Sequence, residues 1–124
     1  MTEKIWTDNA PAAIGPYSQA IRVGNLVFTS GQIPINPETG AIEAQGIAEQ
    51  TEQVMRNLDA ILKSAGTDMK NAVKTTCFLT DMADFSAFNE VYGRYFTEKP
   101  ARSCVAVKAL PRGALVEVEV IAEF

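Results

Sequence analysis

Apolar and polar residues alternate along Ala20-Ile21-Arg22-Val23, meet Gly24-Asn25, and resume in Leu26-Val27-Phe28-Thr29-Ser30. A two-residue Gly-Asn link between two such runs predicts a hairpin. The link sets Val23 opposite Leu26, Ile21 opposite Phe28 and Gln19 opposite Ser30. Residues two apart share a face, so Tyr17 falls on the face of Ser30, far from the turn, unless Pro16 cuts the pairing short.

Pro34, Asn36-Pro37 and Thr39-Gly40 then mark a long turn region. Over residues 46–65 the period changes. Ile47, Thr51, Val54, Leu58, Ile61, Leu62 and Ala65 form one face of a predicted helix, while Glu49, Gln50, Glu52, Gln53 and Arg56 fall mostly outside it. Gly66 is a natural stop. Residues 72–80 are rich in β-branched side chains and read as a strand. Asp81 or Asp84 can cap a second helix, which carries Phe85, Phe88, Val91, Tyr92, Tyr95 and Phe96 at helical spacing and which Pro100 ends. That aromatic stripe reads as a core face rather than a stacking platform.

Two final strands are predicted over residues 102–109 and 115–122, joined through Pro111-Arg112-Gly113. The order is strand, strand, helix, strand, helix, strand, strand. This predicts an α+β fold in which two helices cover one face of a mixed sheet. Cys104-Val105-Ala106-Val107 is apolar on both faces, so the second sheet face should be covered too, as it would be in an oligomer.

The bulk numbers bound the class. A chain of 124 residues with 47% hydrophobic and 21% charged residues is expected to form one domain, residues 1–124, without disulfide or metal staples. There is no internal repeat and no low-complexity stretch. No apolar run reaches the ~18–20 residues that span a bilayer, and Met1-Thr2-Glu3-Lys4-Ile5-Trp6 lacks the pattern of a signal peptide. Two cysteines, Cys77 and Cys104, sit in apolar strands and read as free thiols of a cytoplasmic protein. Lys and Arg number 11 against 15 Asp and Glu, for a net charge of -4, and the cations are scattered. That distribution argues against general nucleic-acid binding. The chain has no histidine, which removes Ser-His and Cys-His catalysis and most zinc and iron sites. Chemistry must run on carboxylates, arginine, tyrosine, hydroxyls, thiols, backbone groups and water.

Among these, Arg102 stands at a helix-to-strand junction, where its planar fork can hold a carboxylate by two parallel hydrogen bonds; the plainer alternative is a solvated strand-end arginine. Glu117 and Glu119 point the same way on the last strand, and a hairpin of suitable register would bring one of them to the face of Arg102; the alternative is a polar sheet face. Cys104 shares the face of Arg102, yet nothing in the sequence guarantees the neighbour a reactive thiolate needs, so its backbone is the better candidate for contacting substrate or water. Tyr17, Ser30 and Gly31 form a second constellation, in which Gly31 lets the backbone approach a ligand closely; otherwise it is a turn with incidental hydroxyls.

Three blocks carry a resemblance. Ala10-Pro11-Ala12-Ala13-Ile14-Gly15-Pro16-Tyr17-Ser18-Gln19-Ala20, Thr29-Ser30-Gly31-Gln32-Ile33-Pro34 and Pro100-Ala101-Arg102-Ser103-Cys104-Val105, with Phe88-Asn89-Glu90-Val91-Tyr92, Leu110-Pro111 and Val116-Glu117-Val118, resemble the RidA (YjgF/YER057c/UK114) family nearly end to end. Ala106 departs from the acidic residue of close relatives, and the segment before Pro100 is shorter than in some members. Neither change touches the motifs.

The resemblance implies a chorismate-mutase-like fold and a homotrimer with a β-barrel-like core and sites between subunits. It implies hydrolysis of 2-iminobutanoate and 2-iminopropanoate, released by pyridoxal-phosphate dehydratases, to 2-oxo acids and ammonia, with no cofactor and no metal. The substrate's carboxylate would bind Arg102, Glu117 would lie near the reacting carbon and position a water, and Tyr17 would close the pocket and assist proton transfer. Ser30, Gly31, Cys104 and Asn89 would complete the pocket. Two rival readings remain: a non-catalytic protein that binds 2-oxo acids and signals to a partner, and the ribonuclease or translation-inhibitor role attached to some relatives.

Overall fold

The structure is a computed structural model that describes residues 2–124. Its strands are β1 (Thr2–Ile5), β2 (Ala20–Val23), β3 (Leu26–Thr29), β4 (Ala72–Leu79), β5 (Ala101–Ala106) and β6 (Val116–Glu123), and its helices are α1 (Ile47–Ala65) and α2 (Phe85–Tyr95). The predicted hairpin forms in the expected register, with Val23 opposite Leu26 and Ile21 opposite Phe28. Gly24 turns it with φ 58°, the left-handed region that glycine enters without a Cβ penalty. β1, for which the sequence showed no clear period, adds antiparallel to β2.

α1 keeps its predicted bounds because Gly46 stands at its N-cap and Gly66, at φ 99°, closes it by donating to Lys63 and Leu62 carbonyls. One correction concerns its faces. Gln50, placed outside the apolar stripe, is 5% exposed. Its amide is satisfied there: it donates to the Ala44 carbonyl and accepts from the Leu115 N–H at 2.9 Å. Asp81, rather than Asp84, supplies the side-chain cap before α2. It accepts from the Ala83 N–H at the start of a short 3-10 turn, and Asp84 at the N-cap makes no such bond.

The last two strands do not pair with each other. β6 lies in the middle of the sheet, antiparallel to both β3 and β4, whereas β5 runs parallel to β4 at the edge, giving the order β1-β2-β3-β6-β4-β5. The short turn from β5 suggested a hairpin, but the alternation of β6 is stronger than that signal. Val116, Val118, Val120 and Ala122 are fully buried, which demands strands on both sides and helices above. The parallel β4–α2–β5 unit supplies one such neighbour.

The helices lie on one face, as predicted. Val54, Met55, Leu58, Ile61 and Leu62 of α1 and Phe88, Val91 and Tyr92 of α2 join the β6 valines in one continuous core. The aromatic stripe is indeed core. The opposite face of the sheet carries Phe28, Val105, Glu117 and Glu119, and Val105 is 47% exposed. Nothing among the described residues covers it. The sheet is also open, with β1 and β5 at its edges, so a barrel-like core would have to be assembled from several protomers.

Candidate functional site

Strand pairing decides which candidate residues can meet. Arg102 pairs with Thr75 and Cys104 with Cys77 across the parallel ladder, and Thr75 and Cys77 pair in turn with Val120 and Val118. All six therefore share the helix-covered face. Glu117 pairs with Phe78 and Glu119 with Thr76, one residue out of step, and so both emerge on the opposite face. β4 also lies between their strands, a lateral separation of about 10 Å. Within one protomer the structure does not bring Arg102 and Glu117 together, and the hairpin that could have done so does not exist.

It makes two half-sites instead. The first surrounds Arg102. Its guanidinium lies 4.8 Å from the Tyr92 ring centroid and 5.5 Å from that of Phe85, and Nη1 donates to Asn89 Oδ1 at 2.6 Å. α2 places these three groups on one side because residues 85, 89 and 92 are spaced at i, i+4 and i+7. Below them, Tyr92 Oη and Thr75 Oγ1 share a buried hydrogen bond of 2.7 Å, which fixes the ring on which the cation rests. Cation–aromatic contacts are worth about 0.5–2 kcal/mol according to desolvation. Yet none of the groups holding Arg102 is a carboxylate, and no ion pair with it occurs among the described residues. Half-buried and hydrogen-bonded, the fork has no counter-charge among the described residues, and its geometry is one that can hold a carboxylate.

Cys104 lies beside Arg102 and is half-buried. Burial pushes its thiol above the ordinary value, with Arg102 only partly opposing the shift. Cys77 beneath it is pushed up to about 12, chiefly by burial. Neither is a ready thiolate, in keeping with the reading of Cys104 as a neighbour of the ligand rather than a nucleophile.

The second half-site is an open cleft of about 550 Å³, within the usual range for small-molecule sites. It gathers Tyr17, Ser30 and Gly31, which the sequence grouped at the strand end, together with Glu117, which the sequence had set with Arg102 instead. The hairpin carries on past β2 just far enough for the Ser30 N–H to reach the Gln19 carbonyl at 2.8 Å, and Ser30 Oγ donates to the Ser18 carbonyl at 2.5 Å. Tyr17, 53% exposed, stands at the rim. Gln32 then bridges to Val118 through two backbone hydrogen bonds, which lays Gly31 alongside Glu117. A Cβ on Gly31 would overlap the Glu117 carboxylate. Burial, with a smaller contribution from Glu119, raises the Glu117 pKa above the ordinary carboxylate range.

Sequence reasoning missed the residues that build the walls of this cleft. Gln19 is buried and donates to the Thr7, Ala10 and Pro11 carbonyls while accepting from the Thr7 N–H at 2.6 Å. Asn57, on the buried side of α1, donates to the Ile33 and Ile35 carbonyls. Each holds a loop that has no secondary structure of its own to satisfy its backbone. For Asn57 the one available signal was an amide inside an otherwise apolar helical face, which does not say which loop the amide will hold; Gln19, just before β2, gave none.

The Gly31 contact carries a prediction. The clash in Gly31→Ala is with the free end of a side chain, so the fold should accommodate it by swinging Glu117 aside. Circular dichroism and melting should be nearly unchanged. If the Glu117 carboxylate is the working group of this cleft, turnover should fall about a hundredfold, the usual penalty for misplacing a reacting group by an ångström. Full activity in a well-folded Gly31→Ala would show that the position of Glu117 does not matter.

Among the described residues, no group of three or more His, Cys, Asp or Glu is arranged to hold a metal ion. No helix among them is long and apolar enough to cross a membrane.

Comparison with known proteins gives the following. The family model described as Endoribonuclease L-PSP matches residues 7–124. Reactive Intermediate Deaminase A, chloroplastic, from Arabidopsis thaliana is 50% identical over 121 residues, covering 97% of this chain and 65% of that protein. Among solved structures, YyfA of Yersinia pestis, from the conserved Rid protein family, superposes with a TM-score of 0.97 at 52% identity and covers 100% of both chains. TdcF of E. coli, solved with bound serine, superposes with a TM-score of 0.93 at 44% identity over 98% of both chains.

Proposed function

Since this chain belongs to the Endoribonuclease L-PSP family, that of the RidA (YjgF/YER057c/UK114) proteins, we propose that it hydrolyses small reactive 2-imino acids to 2-oxo acids and ammonia. 2-Iminobutanoate and 2-iminopropanoate, released by pyridoxal-phosphate dehydratases, are the substrates of this reading, and its role is control of metabolite damage. The observation that carries it is the state of Arg102: a half-buried fork with hydrogen-bonding and aromatic support but no anionic partner. A 2-imino acid supplies the missing carboxylate.

The reaction suits the residues. A protonated imine is electrophilic already, so it requires a held substrate, an aimed water and a proton route. On this reading Arg102 of one protomer clamps the carboxylate, and Glu117, Tyr17, Ser30 and Gly31 of the next protomer face the imine. Water adds to the imine carbon while Glu117 accepts its proton. The same carboxyl group returns that proton to the nitrogen of the resulting carbinolamine. The C–N bond then breaks as Glu117 takes the carbinolamine hydroxyl proton, the carbonyl forms, and ammonia leaves and picks up that proton as ammonium. Holding the reactants in place can lower such barriers by up to about 7–11 kcal/mol in the best model systems. The open cleft, the uncovered sheet face and the separation of the two half-sites within one chain all favour a site shared between copies, in the homotrimer that the family resemblance implies.

The direct test generates 2-iminobutanoate with a threonine dehydratase and follows the competition between hydrolysis and semicarbazide trapping. Faster loss of the imine with this protein supports the reading. No acceleration by well-folded protein would favour a binding protein instead, a reading to which the serine held by the E. coli relative lends some support. The ribonuclease in the family model's description has less to rest on here: the chain carries net charge -4, which does not favour phosphate binding, and no histidine, the commonest acid–base group.

The raised pKa of Glu117 sets the pH profile. Glu117 must be ionised to take the water's proton, and burial followed by Glu119 raises its pKa. The rate should therefore fall on the acid side at a pH above the ordinary carboxylate range, and be complete on the alkaline side of that limb. Glu119→Gln removes the repulsion and should move the limb to lower pH. A limb that stays put in that variant would assign it to another group.

A further inference from the structure

The cleft that holds Glu117 contains one cation, and the imine chemistry leaves it without a task. Arg112 and Glu117 are the two charged residues that line this cleft; most of the remaining wall is apolar, with Ile14, Ile33 and Ile35. Arg112 forms no ion pair and no side-chain hydrogen bond among the described residues. Its backbone is left-handed, at φ 58° and ψ 25°, and Gly113 follows at φ 71°. The Ala114 N–H closes the turn onto the Pro111 carbonyl at 3.2 Å. Positive φ at both central positions is the type I′ arrangement, which favours Asn-Gly and is unfavourable for a residue with a Cβ such as arginine. Arg112 is exposed at the border of the cleft, and a strained residue held there without a local partner points to a ligand.

We propose that Arg112 reads the far end of the substrate, and that this cleft accepts 2-imino acids whose side chain ends in a second carboxylate. The inference rests on the proposed reading of the site, in which the α-carboxylate is held by Arg102 of a neighbouring copy. That clamp leaves the substrate's side chain pointing away from Arg102, along the cleft that Arg112 borders. A guanidinium meeting a carboxylate there adds a charge-assisted pair that a methyl or ethyl side chain does not offer. The remaining apolar wall accommodates the methylenes between the two carboxylates.

The stable products serve as probes. Dissociation constants for 2-oxoglutarate and 2-oxobutanoate are measured by calorimetry on the wild type, Arg112→Asn and Arg112→Lys, alongside hydrolysis of 2-iminobutanoate. Wild type should bind 2-oxoglutarate about tenfold more tightly than 2-oxobutanoate, the scale of one partly exposed charge-assisted pair. Arg112→Asn should erase that ratio and raise the melting temperature, since Asn-Gly is the better turn. Arg112→Lys keeps the charge without the fork and should retain part of the preference. An unchanged ratio in Arg112→Asn overturns the proposal. So does a parallel weakening of both ligands, which would make Arg112 the α-carboxylate clamp, and so does a lower melting temperature with dissociation of the oligomer, which would make it a subunit contact. If the ratio behaves as expected but 2-iminobutanoate is not hydrolysed by the wild type, the ligand class stands and the deaminase reading alone fails.

Discussion

Arg102→Ala should lower kcat/KM for 2-iminobutanoate by at least about a hundredfold and leave the protein folded. Removing one partner from a desolvated, hydrogen-bonded charge pair costs about 2–5 kcal/mol, and here the other partner is the substrate. The loss should be nearly as large for binding of 2-oxobutanoate, because the same carboxylate is presented by the product. Folding should survive for a structural reason. Arg102 lies on the edge strand β5, half-buried, and its deletion exposes the Tyr92 ring and Asn89 Oδ1 near solvent rather than opening the core beneath Thr75 and Cys77. Arg102→Lys is the informative companion. It keeps the charge and loses the planar fork, so it should recover only part of the activity. Semicarbazide competition reads the turnover, and a melting curve reads the fold. Wild-type turnover in folded Arg102→Ala would end the assignment of this residue as the clamp.

Glu117→Gln should lower kcat by about 10²–10⁴-fold, the range for losing a positioned general base, with little change in KM. The amide is nearly the same size, so the contact with Gly31 is kept and the ability to take a proton is lost. The acid limb of the pH profile should disappear with it. A rise in KM with kcat intact would make Glu117 a binding group instead. A shared site adds a sharper measurement. When inactive Arg102→Ala and inactive Glu117→Gln are unfolded together and reassembled, about a quarter of the sites in a randomly mixed cyclic oligomer combine a native Arg102 with a native Glu117. Activity should reappear to that extent. Mixed oligomers with no recovered activity would place the whole site within one chain, which the strand register argues against.

Much of this protein was legible along the chain. The Gly24-Asn25 hairpin, the bounds of α1 and the buried aromatic stripe of α2 depend on side-chain period and on turn residues within a few positions of each other. Such local preferences survive into the fold whenever the core they predict is the one that forms. Tyr17, Ser30 and Gly31 could be grouped for the same reason, since the hairpin register ties them together. β1 escaped notice because four residues with one buried side chain, Ile5, show no period. Gln50 was misplaced because a polar residue was assumed to seek water, whereas the Leu115 N–H gave it a partner inside.

The sequence by itself determined the element types apart from β1, the hairpin register, the family, and the candidates Arg102, Glu117, Tyr17, Ser30, Gly31, Cys104 and Asn89. The tertiary structure alone decided which of them face each other. Whether β5 and β6 pair with each other or with β4 depends on contacts between segments distant along the chain. No local period records that choice, and one residue of register moves a side chain to the other face of a sheet. With β6 seated between β3 and β4, Arg102 rests on α2 while Glu117 opens onto the opposite side. They stand on opposite sides of one sheet because β4 lies between their strands and Arg102 and Glu117 pair with residues of β4 an odd number of positions apart.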